Sequence, residues 1–301
     1  MKYRQEIIFE NKSINTSLVK KYKDCIIKKV KNIVEFSFDF DIVLRVRIND
    51  IEKTENYVNK ETTCGYSTWK KDGSYLVCFS SESLERIEQD GGLDISIAIC
   101  HELSHIYDLY HVMNNKYYKI NPLILRQKNI NDYIIQQGWN IWTEFFAYYF
   151  TFKEFKKFHD YPTFHQILIG YKHLIEQYKY LESRLDNKTK DIKNLADKHI
   201  EEIKQFLYAV AKYIAGSMVG NPRYYKVKVT NENKKIISEL NNIIERLYKL
   251  IIKMFTNTHG KGMATKLWNL GDYLIRTFYV KYNIFPEKMK DQIVLVFYKK
   301  D

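Results

Sequence analysis

The chain has 301 residues, 45% of them hydrophobic, which is enough for one large core or two ordinary ones and excludes a disordered or fibrous class. Its 48 Lys and Arg against 36 Asp and Glu leave a net charge of +12, but the lysines are dispersed and only four prolines occur, the bias of an AT-rich coding sequence. Nucleic acid is therefore a secondary expectation as a partner. Four cysteines without a CxxC pair argue against a disulfide framework or a cysteine metal site.

The opening residues, Met1 to Glu10, are charged and lack the apolar core of a signal peptide. The longest apolar stretch, Phe206 to Gly220, is interrupted by Lys212 and too short for a bilayer. The expectation is a cytoplasmic protein with no membrane partner.

Residues 1 to about 90 read as α/β structure. Ser13 to Val34 has helical periodicity, with Leu18, Tyr22, Ile26, Ile27 and Val30 on one side and lysines on the other. Asp41 to Ile48 ends in strand alternation. Cys64 to Lys70 and Ser74 to Phe79 flank Lys71-Asp72-Gly73 and predict a β-hairpin. Asp90-Gly91-Gly92 punctuates the chain before a second helix begins at Leu93.

That helix carries Cys100-His101-Glu102-Leu103-Ser104-His105, an HExxH motif. Residues i and i+4 share a helix face, so His101 and His105 can close on one zinc ion. Glu102 stands where a general base for metal-activated water is needed. Asp108 follows three residues after His105 on the same face. There it can accept the far N–H of an imidazole and hold its tautomer. A surface ion pair with a lysine would suit it equally.

After His111 the pattern lapses, and Met113 to Gly138 reads as a long loop with at most one short helix. Helical patterns return at 140–157, 163–184, 188–219, 234–256 and 262–282, with Pro222, Gly260, Gly262 and Pro286 as breaks. Gln292 to Tyr298 reads as a terminal strand or a docked tail. These elements suggest a domain over 1–158 and a helical domain over 159–301.

A catalytic zinc takes three protein ligands and keeps one position open. Two residues compete for the third place. Glu144 lies in Trp142-Thr143-Glu144-Phe145-Phe146-Ala147-Tyr148-Tyr149-Phe150, where burying a carboxylate is costly unless a metal or hydrogen bond compensates it. His111 stands six residues after His105, but Asp108 replaces the glycine that would let the chain turn back after HExxHxx.

On HExxH and on Glu144, Ala147 and Phe150, the region 90–160 resembles the zincin metallopeptidases, specifically their glutamate-ligand branch and loosely its ImmA/IrrE group, whose downstream helix reads ExxANxFA. This chain has Tyr148 in place of the Asn and Thr151 in place of the final Ala. The metzincin pattern, with His111 as third ligand, is the competing branch. The resemblance implies an α+β fold, with a zincin-like catalytic domain of a small mixed sheet plus the HExxH helix and a mostly helical C-terminal half. It also implies Zn2+ as cofactor, a protein or peptide as substrate, and a sheet edge near Tyr75–Phe79 where an extended substrate adds as a strand.

The expected activity is zinc-dependent peptide hydrolysis with Glu102 as general base and Tyr148 as a candidate donor to the oxyanion. The alternative is a non-catalytic metal-binding regulatory protein, or one that binds nucleic acid or a protein partner. The presence of Glu102 speaks against it, because a structural metal site has no use for a base.

Overall fold

The computed structural model describes residues 3–50, 65–114, 129–155, 162–184, 191–220, 234–256, 260–289 and 292–297. The chain divides into two compact units. One is Met1–Tyr110 with Lys153–Phe155, and the other is His111–Phe152 with Lys156–Asp301. Packing thus draws a line after Tyr110, whereas element spacing suggests one near residue 158.

The first unit is mixed α+β. A four-stranded sheet has the order β1 (Gln5–Asn11), β2 (Ile42–Asn49), β4 (Tyr75–Ser80), β3 (Gly65–Trp69). The pairs β1–β2 and β2–β4 are parallel, and β3 is antiparallel to β4. The helix α1 (Thr16–Ser37) connects β1 to β2, and Asn15 caps it by accepting the Leu18 N–H. Val19, Tyr22, Ile26, Val30 and Val34 form its buried stripe, close to the periodicity read from sequence.

In β2, buried Ile42, Leu44, Val46 and Ile48 alternate with Val43, Arg45 and Arg47. Every residue of β4 is buried, as befits a strand flanked on both sides. The predicted hairpin is present. Lys70 N–H donates to Ser74 O at 2.8 Å, and Gly73 takes φ +82° in the turn. One expectation is corrected: Tyr75–Phe79 is an interior strand, and β1 and β3 are the edges of the described sheet. The turn makes the last strand antiparallel and leaves β3 outermost. The strand β1 carries no alternation strong enough to predict. It exists because β2 offers it a parallel partner.

Two helical turns, Glu82–Glu85 and Ile87–Asp90, lead into α2 (Leu93–Met113), the HExxH helix. Gly91 and Gly92 take φ +66° and +80°, which admits the reversal. Asp90 then accepts the Gly92 and Asp94 N–H groups, both at 2.7 Å, and satisfies the helix start. Aromatic rings seat the other end of α2. Phe40 stacks on Tyr110 with centroids 3.5 Å apart, and Tyr107 lies against Phe38 and Phe40.

The second unit is helical. It contains most of α3 (Ile130–Glu154), then α4 (Phe164–Arg184), α5 (Asp191–Val219), α6 (Lys234–Phe255) and α7 (Met263–Leu274). After α7 the chain passes through a π-helical turn, Ile275–Tyr279, and a 3-10 turn, Val280–Tyr282. A two-stranded antiparallel sheet, β5 (Ile284–Met289) with β6 (Gln292–Phe297), follows. The long loop expected over 113–138 is corrected at its end, since α3 begins at Ile130. Residues 115–128 of that expectation lie outside the described residues. Pro286, expected as a break, sits inside β5. A two-stranded sheet has only edge strands, where a missing N–H is tolerated. Among the described residues no helix is long and apolar enough to cross a membrane.

The early start of α3 has a physical cause. A Cβ at Gly138 would run into the carbonyl of Leu267, and a Cβ at Gly271 into that of Ile134. The two glycines bring the backbones of α3 and α7 together, and Trp268 Nε1–H donates across the crossing to Asn131 at 3.3 Å. Tertiary packing thus holds a segment whose composition alone reads as loop. Gly138→Ala should destabilise the protein by about 1–3 kcal/mol, the usual range for overpacking. Denaturant unfolding checks it, and a midpoint equal to that of the wild type would show that the crossing is looser than described.

Candidate metal centre

Leu103, Ile106 and Leu109 are buried on the core side, and the motif residues lie beside them. His101 and His105 are half-buried, and Glu102 is only 8% exposed. The two imidazole Nε2 atoms stand 3.1 Å apart, with the rings at 86°. Two ligands at the zinc–nitrogen distance, about 2.0–2.1 Å, and tetrahedral geometry would be about 3.3 Å apart. The pair is thus set almost at the spacing that a shared ion requires.

The ligand atoms of His101, His105 and Glu144 all lie within 4.8 Å of one another, and these three can hold a metal ion. Of the two residues that compete in sequence for the third place, Glu144 belongs to this group and His111 does not. His111 lies near the C-terminal end of α2, half-buried. Glu144 is the half-buried member of an otherwise buried run, Trp142, Thr143, Phe145, Phe146 and Ala147. Two imidazoles and a carboxylate are a donor set that divalent metal sites, catalytic zinc sites among them, use.

Burial dominates the electrostatics. It pushes the Glu102 carboxyl up to about 7, while a hydrogen bond from Ser67 pulls the other way. It holds the His105 imidazole down at about 4, against the pull of the Asp108 charge. A neutral imidazole is the ligating form, so the environment prepares His105 for a metal. Asp108 is fully buried, one turn beyond His105. Tyr148 lies one turn beyond Glu144, stacked on Phe152 with Lys212 Nζ 5.6 Å from its ring centre.

Sequence reasoning missed two neighbours. Ser67 lies on the edge strand β3, and only the hairpin pairing brings it to Glu102. Tyr208, on α5, feels the charge of Glu144, and its phenol is pushed up, chiefly by burial. A chain with 25 tyrosines gives no sequence signal to select it. Comparison with protein-family models, curated proteins and solved structures finds no match.

The shifts imply a pH dependence for the metal-free chain. Glu102 rises from 4.5 to about 7 on folding, so the folded state binds its proton more tightly. Its cost to stability is absent below about 4.5 and complete above about 7. His105 falls from 6.5 to about 4, and stability is lost as the pH drops through that range. The two effects oppose each other, so the variant Glu102→Gln isolates the carboxyl. In chelator-treated protein its stability relative to wild type should rise between about pH 4.5 and 7, by up to about 3 kcal/mol. Parallel stability curves for the two proteins would exclude a carboxyl so perturbed.

Proposed function

We propose that this protein is a zinc-dependent metallopeptidase of zincin type, in the glutamate-ligand branch. The observation that carries the reading is the convergence of His101, His105 and Glu144, with the buried acid Glu102 beside the first ligand. The three residues would hold the ion and leave one position for water. Zinc bound there supplies Lewis acidity, polarising a carbonyl and acidifying a water.

Glu102 would accept a proton at its carboxylate from the attacking water and pass it to the leaving amine. Its raised proton affinity suits both halves of that transfer, because a base near neutrality is also a usable acid. Ser67 holds the carboxyl from the sheet side. Asp108 is the residue proposed to fix an imidazole tautomer. Tyr148 is the candidate donor to the oxyanion. The edge strand β3, which bears Ser67, offers the backbone on which an extended peptide can add as a further strand.

A non-catalytic metal protein is the competing reading. The burial of Glu102 disfavours it, since a buried acid that is not itself in the ligand group is a cost without a structural return.

Purified protein should bind zinc, and His101→Ala, His105→Ala or Glu144→Ala should each weaken that binding strongly. His111→Ala should leave it nearly intact. Calorimetric zinc titration reads this, and the reverse order for Glu144 and His111 would move the chain to the metzincin branch. Glu102→Gln should keep zinc and lose at least about a hundredfold in cleavage of a peptide library, the lower end of general-base contributions. Unchanged cleavage by that variant would reject the mechanism. A wild type that binds zinc and cleaves nothing would favour the binding-protein reading.

A further inference from the structure

A second constellation of metal-ligand side chains lies wholly within the helical unit, between α4 and α5. His199, on α5, is 2% exposed, and among the described residues neither of its ring nitrogens has a hydrogen-bond partner. One turn on, the Glu202 carboxylate stands between two imidazoles. Its Oε2 lies 3.9 Å from His199 Nδ1, and its Oε1 lies 3.7 Å from Nε2 of His173 on α4. Among the described residues the buried Glu202 Oε2 also lacks a hydrogen-bond partner. Tyr178 and Tyr282 wall the group, with ring centres 6.1 and 5.2 Å from that of His199, and the buried Tyr282 hydroxyl is likewise unpartnered.

Buried polar atoms without partners are rare in folded proteins, and a group of them calls for an ion or a water. The chemistry here favours a cation. An ionised carboxylate only accepts, and a neutral imidazole has one accepting nitrogen. The HxxE spacing puts His199 and Glu202 on one face of α5, as two ligands from one helix must be.

We propose that His173, His199 and Glu202 form a second site for a borderline divalent cation such as zinc, separate from the HExxH centre and independent of the peptidase reading. The donor set of two imidazoles and one carboxylate selects that class of ion over calcium or magnesium, which prefer all-oxygen shells. The site is wider than the first, which among the described residues is the one group with three ligand atoms within 4.8 Å of one another. His173 is the member that closes it. Its side chain is 53% exposed, so its ring can swing inward at little cost. Lys198, 3.8 Å from Glu202 and 66% exposed, is the competing cation at the rim and would be displaced outward. An ion here would tie α4 to α5.

The test is zinc stoichiometry of the full chain, stripped with chelator, reloaded and measured by elemental analysis. Wild type should hold about two zinc ions, and the His101→Ala/His105→Ala protein about one. Adding Glu202→Gln to that protein should remove the remaining ion. Removal of His199 leaves a cavity that could unfold the helices, so His173→Gln, at a half-exposed position, serves as the second variant. It should weaken the remaining site by more than about tenfold, the least expected even for residues that only support a ligand. A His101→Ala/His105→Ala protein that takes up no zinc would overturn the proposal and leave a buried water as the occupant. Undiminished binding in the Glu202→Gln and His173→Gln variants would overturn it as well. One ion in wild type that survives His101→Ala/His105→Ala but not Glu202→Gln would sustain this site while refuting the HExxH centre.

Discussion

Charge taken out of water along a single helix is the constraint around which the first unit is organised. Within seven residues α2 withdraws Glu102, His105 and Asp108 from solvent, wholly or in large part. Burial, outweighing the Ser67 hydrogen bond and the Asp108 charge, pushes the acid up to about 7 and the imidazole down to about 4. Each shift records a penalty on the charged form, and a helix needing only to pack would place leucines there. Two imidazoles with Nε2 atoms 3.1 Å apart and a carboxylate in the same small volume form a group rich in potential metal ligands. A divalent cation bound by these ligands would offset those costs together.

Such a face must be held rigidly, since ligand spacing is set to tenths of an ångström. The chain does this with local devices. Asp90 closes the first turn of α2 through two backbone hydrogen bonds, and two glycines at positive φ let the chain arrive there. The stacked rings of Phe40 and Tyr110 seat the far end. On α3 the device is the absence of side chains. Gly138 and Gly271 allow contact between backbones, and one added methyl group on either would have to move a helix. Glu144 lies six residues beyond Gly138 on that rigid helix, so its position is tied to a crossing that has no part in the chemistry.

Features governed by local chemistry were legible in the sequence, and features governed by pairing were not. The stripe of α1, the Asp72-Gly73 hairpin and the helix after Gly92 follow from periodicity and turn chemistry, and they stand within a few residues of expectation. HExxH was visible because both histidines sit on one helix turn. By contrast, β1 and β5 exist through partners, and an isolated strand has no stability to announce. The order of β4 and β3 could not be read either, because strand alternation says which face is buried and not which neighbour is present. The start of α3 was misread for the same reason. Residues 130–138 are polar enough for a loop, and it is glycine-mediated packing against α7 that holds them helical.

The two histidine–carboxylate groups show the same limit within metal chemistry itself. In the first, two candidate ligands and a candidate base fall in five consecutive residues, and the spacing repeats the helix period closely enough to read as a motif. In the second, His199 and Glu202 have equally good helical spacing, yet an HxxE pair is common on any solvated helix face and signals nothing alone. It acquires meaning only when α4 brings His173 to the other carboxylate oxygen, and when burial leaves the His199 imidazole without a hydrogen-bond partner among the described residues. Sequence encodes ligand geometry along a helix, whereas desolvation is a property of the packed structure. It is desolvation that separates a pair with a reason to hold an ion from one that merely could.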